Sequence, residues 1–421
     1  MAEFVPFRGI QYAKQNELSS FIAPPYDVIN DVEKKALKGL SPYNVVRLIL
    51  PDDEGQKDKY TVAGEMFRQW IANNVLKTTD KPAFYVLEQE FLSGGHEYVR
   101  RAVFGALKLS PFGEGKVLPH EYTLSGPKED RLKLMRSVKA NLSPVFGLVP
   151  DESGEFDKWV DDTTRSCKAT EAQDREGIQI KFAAVTNAKT TEALTKIIDK
   201  ELILIADGHH RYETSINYRN EVGANGDGTH PADYVLIALV SMRDQGLVIW
   251  PTHRVIYGTG RAKGLLDRIG AAFEIRKAKR RGLEELARDE EHEEAGVMGY
   301  VGPEGESVLT LTDAAAVRKF YPDMSDAFCG LDVAILHGPI LEGELGIDKE
   351  KLARKENITY VKALDDVYGM VRDGKHECAF VLRPTLLSEV LAVSKAGNRM
   401  PQKSTYFYPK LPTGLVMRTL T

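Results

Sequence analysis

The stretch Leu202 to Thr214, LILIADGHHRYET, constrains the fold more than any other part of the chain. LILIA is a short apolar run with β-branched residues, the form of a buried strand. It stops at Asp207-Gly208-His209-His210-Arg211, and the following RYETSINYRNEV has helical spacing, with Tyr212 and Ile216 on one face. Strand, glycine turn and helix start therefore follow one another directly. At such a junction the first backbone N–H groups lack intrahelical partners and the helix dipole adds partial positive charge, which suits phosphate oxygens. Gly208 permits close approach of an anion, and His209, His210 and Arg211 add charge-assisted donors. Asp207 does not attract an anion, so it is read as holding a divalent cation or as orienting a histidine. The plain structural alternative is that Asp207 caps the helix and the histidines pack.

A second constellation is Pro119-His120-Glu121, followed by the helix-like KEDRLKLMRSVKANL and by SPVFGLV. Glu121 is a candidate general base, because a carboxylate beside a phosphoryl donor accepts the proton of an attacking hydroxyl, and His120 would orient it. A solvent-facing Glu121 is the alternative. Third, GNRMPQKST (Gly397 to Thr405) matches the phosphate-loop pattern GxxxxGK[ST] except that Gln402 replaces the second glycine. The loop needs that glycine for its backbone cradle, and the extended, proline-broken TYFYPKLP follows instead of a helix, so a true phosphate loop is rejected. Lys403, Ser404 and Thr405 remain candidate phosphate or substrate contacts. Tyr26 and Asp27 in APPYDVI are either held rigidly as substrate contacts or form a turn capped by Asp27. His253 and Arg254 in WPTHRVI are lesser substrate-site candidates; His253 with His209, His210 and His120 would be the ligand set of a zinc site, although the spacing matches no known pattern.

A chain of 421 residues exceeds the size at which one core stops growing, so more than one domain is expected. Strand-like NVVRLIL (44–50), AFYVLEQEF (83–91) and RAVFGALKL (101–109) alternate with helix-like stretches, which predicts a mixed α/β chain. One helix is expected after Asn30, with Glu33 completing a capping box, and another through TVAGEMFRQWIANN. Pro111, Gly113 and Gly115 mark one boundary and the charged run after Gly258 another, giving regions 1–112, 113–260 and 261–421. The segment Arg261 to Glu294 reads as an exposed helix with its loop.

Acidic residues outnumber basic ones 61 to 56, a formal charge of −5 scattered along the chain, which disfavours nucleic acid as a partner. Cys167, Cys329 and Cys378 lack CxxC spacing, so neither a disulfide framework nor a thiolate metal site is expected. The start MAEFVPFRGIQYAKQ has no apolar run of signal-peptide length, and no segment offers the ~18 apolar residues of a membrane span. A soluble cytoplasmic protein without membrane contact is expected.

APPYDVI, PHEYT, KEDRLKL, ANLSPVF, ADGHHRYET, PTHR and MPQKSTYFYPK, in this order along nearly the whole chain, resemble a prokaryotic family catalogued as domain of unknown function 1015, some members of which are labelled ParB-like. The middle portion also looks like the ParB and sulfiredoxin superfamily, whose free-serine kinases carry an HE element, a helix with a proline-containing strand, and DGHHR. The resemblance implies a ParB/sulfiredoxin-like nucleotide-binding core of mixed α/β fold with further α/β regions at both ends. It implies Glu121 as base toward a serine hydroxyl, Asp207 as its helper or a magnesium ligand, and Gly208 to Arg211 as the phosphate cradle. The long stretch between Ser143-Pro144-Val145-Phe146 and Asp207 departs from the compact superfamily unit and requires an insertion. The expected function is thus a kinase using ATP or ADP and Mg2+ on the hydroxyl of free serine or a similar metabolite. The alternatives are a non-enzymatic ParB-like nucleotide-binding regulator and a metal-dependent hydrolase built on the histidines.

Overall fold

The computed structural model describes residues 2–123 and 125–421. The chain divides into two compact units, the first made of 1–119, 123–248 and 409–421 and the second of 120–122 and 249–408.

Unit 1 is built on a nine-stranded mixed sheet. Its strands are β1 (Phe4–Val5), β2 (Phe84–Ser93), β3 (His96–Lys108), β4 (Val117–Leu118), β5 (Val145–Val149), β6 (Thr170–Gln173), β7 (Gln179–Val185), β8 (Ile203–Asp207) and β9 (Tyr234–Ser241). They lie in the order β4-β8-β5-β9-β3-β2-β7-β6, with β1 paired to β3. The β4·β8 and β5·β9 pairs are parallel; the β5·β8 and β3·β9 pairs are antiparallel. β8 therefore lies inside the sheet, which is why LILIA is apolar throughout rather than alternating.

The unit's principal helices are α1 (Asp31–Leu40), α2 (Val46–Ile49), α3 (Lys59–Ala72), α4 (Ser125–Val138), α5 (Glu155–Ser166), α6 (Ala188–Lys200) and α7 (His209–Glu221). The Asn30 side chain accepts from the Glu33 amide and starts α1 as its sequence requires. Asp58 does the same for α3, whose buried face holds Val62, Phe67 and Trp70. Phe156 of α5, Leu194 and Ile198 of α6 and Tyr212 of α7 join Phe4, Phe84, Val103, Ile205 and Ile237 in one core. Each such fully buried side chain contributes about 1.5–3 kcal/mol of transfer free energy.

Unit 2 carries a six-stranded antiparallel sheet of β10 (His253–Ile256), β11 (Phe273–Lys277), β12 (Val297–Gly302), β13 (Gly305–Leu311), β14 (Ile358–Val361) and β15 (Cys378–Val381). Their order is β11-β13-β12-β15-β10-β14. Val255, Leu283, Val301, Val367, Ala379 and Val381 form its core.

Three expectations are corrected. NVVRLIL is not a strand: Val46–Ile49 is a helical turn, because the Asn44 carboxamide accepts from the Val46 amide at 2.9 Å and donates to the carbonyls of Ser20 and Ile22. A short apolar run fits a buried helical turn as well as a strand. The charged stretch after Arg261 is not one exposed helix, since it contains β11 and buries Leu265, Leu266, Phe273 and Leu283. The boundary expected near residue 113 is also replaced, because β3 before it and β9 after it are hydrogen-bonded neighbours in one sheet.

Gly105 of β3 faces the stacked rings of Phe4 and Phe84, and an added Cβ would lie 2.3 Å from Phe4. Both rings are fully buried, so neither has room to yield. Gly105→Ala is expected to destabilise the chain by about 1–3 kcal/mol, read from urea unfolding.

Candidate functional site

In unit 1 the register of β8 on β5 slips between Ile205 and Asp207, which face Gly147 and Phe146 respectively. Ala206 is thus an extra residue, and the bulge turns Asp207 at the strand's end. Gly208 follows at φ +89°, a left-handed conformation that side chains resist, and α7 begins at His209. No side chain caps this helix. A Cβ on Gly208 would also lie 2.8 Å from Nε of Arg211, so glycine is required there on two grounds.

Arg211 explains the crowding. Its guanidinium folds back to donate to the Asp207 carboxylate and to the Pro144 carbonyl. The other Asp207 oxygen accepts from Lys410 Nζ at 2.7 Å. Burial works against ionisation of Asp207, but Lys410 and then Arg211 outweigh it and hold the carboxyl well below the usual carboxylate range. Lys410 is placed by its neighbours: the buried Arg100 donates to the Pro409 carbonyl and to Gln89, whose amide reaches the Lys410 carbonyl at 3.3 Å. Further along α7, Glu213 accepts from Thr123 at 2.6 Å and pairs with Lys128 at 2.8 Å.

A small cavity of about 50 Å³ in the same unit is lined by Tyr26, Arg131, Ser143, Arg211 and Thr214 among others. The Arg131 guanidinium lies 4.1 Å from the centroid of the Tyr26 ring and donates to the Ile49 carbonyl. Burial first, and the Asp27 charge next, push the Tyr26 hydroxyl up to about 12. Tyr26 is thus held rigidly, whereas Asp27 is exposed on the short helical turn Tyr26–Val28.

Unit 2 gathers the other sequence candidates. The His120 carbonyl accepts from the Met400 amide at 2.6 Å, and the His120 ring nitrogen Nε2 lies 2.9 Å from Thr405 Oγ1. Glu121 accepts from the Ser404 amide at 3.3 Å. Arg254, fully buried on β10, donates to the carbonyls of Thr252 and Lys403 and sits over the Tyr360 ring. Burial pushes its guanidinium down to about 10, against the pull of Tyr360 and Glu121. Lys403 adopts φ +60°, which turns the chain so that Ser404 and Thr405 meet Glu121 and His120.

The candidates therefore fall into two sets. Asp207, Gly208, His209, His210, Arg211 and Tyr26 belong to unit 1, and His120, Glu121, Arg254, Lys403, Ser404 and Thr405 to unit 2. Arg211 is not a free phosphate donor: at 9% exposure it is committed to Asp207 and Pro144, and His209 is 6% exposed. His253 is neither a substrate contact nor a zinc ligand, since it is buried, its Nδ1 accepts from the Leu382 amide, and burial followed by the Arg254 charge brings it down to about 4. Among the described residues no three His, Cys, Asp or Glu side chains are grouped to hold a metal ion. A magnesium ion does not fit Asp207 as it stands, because both oxygens are taken by cations. Lys410, Arg131 and Tyr360 were not singled out from sequence; the Pro409-Lys410-Leu411-Pro412 run was the available signal for Lys410, as prolines on either side fix an extended path.

Lys410→Met removes one of two cations from a largely buried carboxylate and is expected to cost about 1–3 kcal/mol in urea unfolding at neutral pH. The pair's contribution is complete above the ordinary carboxylate range and is lost as pH falls through the depressed value, so the gap between wild type and variant should close in strong acid.

No helix among the described residues is long and apolar enough to cross a membrane. No curated protein matches the chain. Among solved structures, a conserved hypothetical protein from Pyrococcus furiosus is 14% identical, with 71% of this chain and 90% of that chain covered at a TM-score of 0.36. A free serine kinase in complex with AMP is 14% identical, over 69% of this chain and 83% of that chain, also at 0.36. SbnI from Staphylococcus aureus is 10% identical over 73% and 84%, at 0.34. At such identities no residue role passes from them to this chain. The family described as "Protein of unknown function (DUF1015)" matches residues 4–334, and the chain belongs to it.

Proposed function

We propose that this protein is a nucleotide-dependent phosphotransferase acting on the hydroxyl of a small metabolite, with free L-serine the first acceptor to test. The observation that carries the reading is the Asp207-Gly208 turn: a bulged strand end, a glycine at positive φ, and a helix start with no side-chain cap. Backbone N–H groups at the start of α7 receive the phosphates of ATP or ADP, aided by the helix dipole. Lys410, fixed by Asp207, adds positive charge there, and His210 stands on the first turn of α7. Arg211 acts indirectly, by bracing Asp207 and the turn.

The acceptor hydroxyl attacks the terminal phosphorus, the bond to the leaving nucleotide oxygen breaks, and Glu121 takes the hydroxyl proton. The Ser404 amide steadies one Glu121 oxygen, and Arg254 sets the charge around it. Lys403, Ser404 and Thr405 serve as substrate contacts in this scheme, and His120 is oriented by Thr405. The turn at Gly208 and the Glu121 carboxylate are each tested by themselves.

Purified protein with magnesium, ATP or ADP and a panel of hydroxyl metabolites should yield a phosphorylated product by mass spectrometry, with serine the expected acceptor. Glu121→Gln should lower turnover by about a hundred-fold or more while nucleotide affinity is kept. Unchanged turnover would remove Glu121 from the reaction. Lys410→Met should instead weaken nucleotide binding, measured by calorimetry. Nucleotide binding with no product from any acceptor would favour the ParB-like regulator.

A further inference from the structure

Unit 2 contains a second feature that the phosphotransfer scheme does not use. A cavity of about 370 Å³, the scale of a small-molecule site, is lined by side chains of unit 2 alone. Its buried side holds Tyr321, Phe328 and His337, and its exposed side Tyr122 and Lys349. The volume and the aromatic lining suit an aromatic body and far exceed the needs of serine.

One wall is a π-helix, Leu336–Glu344, with Pro339 inside it. Such wide turns are rare and cluster at functional sites. The Leu345 amide bonds to the Ile340 carbonyl five residues back, as the geometry requires. Residues five apart lie one above the other on such a helix, and His337 and Glu342 both line the cavity.

His337 is 4% exposed, and its Nε2 has no hydrogen-bond partner among the described residues. A buried, unpaired polar atom in a cavity wall is costly, and a ligand would relieve it. Burial, and then the Arg254 charge, hold the imidazole well below its usual pKa, so the ring is neutral and, with its proton on Nδ1, accepts a hydrogen bond at Nε2. Among the described residues neither Lys349 nor Glu342 has a salt-bridge partner within 4.0 Å. The Lys349 ammonium lies 5.9 Å from the Tyr321 ring centroid, and the Arg399 guanidinium 5.4 Å from that of Tyr122. The cavity thus offers an apolar interior, one buried acceptor, cations at its rim and one carboxylate.

We propose that this cavity binds an aromatic α-amino acid. The ring packs against Tyr321 and Phe328, whose own rings meet edge to face at 5.0 Å, and its N–H or O–H donates to Nε2 of His337. The carboxylate meets Lys349 and Arg399, and the ammonium meets Glu342. This assignment stands apart from the phosphotransfer reading and does not rest on it.

Isothermal calorimetry on the full chain tests it, with L-tryptophan and L-tyrosine as probes. Indole-3-propionate, which lacks the ammonium, tryptamine, which lacks the carboxylate, and L-serine are the comparisons. At least one of the two amino acids should bind saturably, with the truncated analogues and serine about ten-fold or more weaker. Lys349→Gln and Glu342→Gln, both away from the buried core, should each weaken that binding by about ten-fold. His337→Phe should abolish it, with circular dichroism confirming a folded chain. No saturable binding of either amino acid to the wild-type chain, or equal binding by Lys349→Gln and Glu342→Gln, would overturn the proposal.

Discussion

A carboxylate taken out of water is destabilising unless its charge is matched, and Asp207 shows how much of unit 1 is arranged around that requirement. Its two oxygens hold two cations from different directions. Arg211 reaches back along the first turn of α7, and Lys410 arrives from the far end of the chain. The first contact forces glycine at 208, because any side chain would strike the returning guanidinium. The second fixes the path of the C-terminal segment, which Arg100 holds by the Pro409 carbonyl.

Unit 2 solves a similar problem differently. Arg254 is fully buried with carbonyl oxygens and an aromatic face around it, and burial lowers its affinity for a proton. Glu121 and Tyr360 are the groups whose charge favours its ionised form. The backbone of Lys403, kept in the left-handed region, supplies one of those carbonyls and presents the Ser404 amide to Glu121. A segment that lacks the second glycine of a phosphate loop thus does structural work that its likeness to such a loop did not foretell.

The parts of this arrangement that were legible from sequence are those set by local rules. The apolar run, the glycine and the helical spacing of RYETSINYRNEV place β8, the turn and α7 correctly, because each signal lies within a few residues of what it determines. The Asn30 cap of α1 is of the same kind. Lys410 was not legible, since its partner lies 203 residues away and nothing local marks a lysine as buried. Arg211 was noticed but given the wrong task, because sequence shows a cation near a turn and not whether a neighbour has already claimed it. Val46–Ile49 was misread because four residues, three of them apolar, carry too little periodicity to separate a strand from a helical turn. The division into units was missed because the C-terminal segment returns to the first unit.

That return is close-stitched. Met417 bridges to Ile10, Thr413 to Ala23, and Arg418–Thr419 pairs with Ala140–Asn141, all within unit 1. The polypeptide leaves this unit after Val248 and rejoins it at Pro409. On a ribosome, therefore, the second unit emerges whole before the first can close. Until Lys410 is made, Asp207 lacks one of its two cations, and the nascent sheet waits with that charge half-answered.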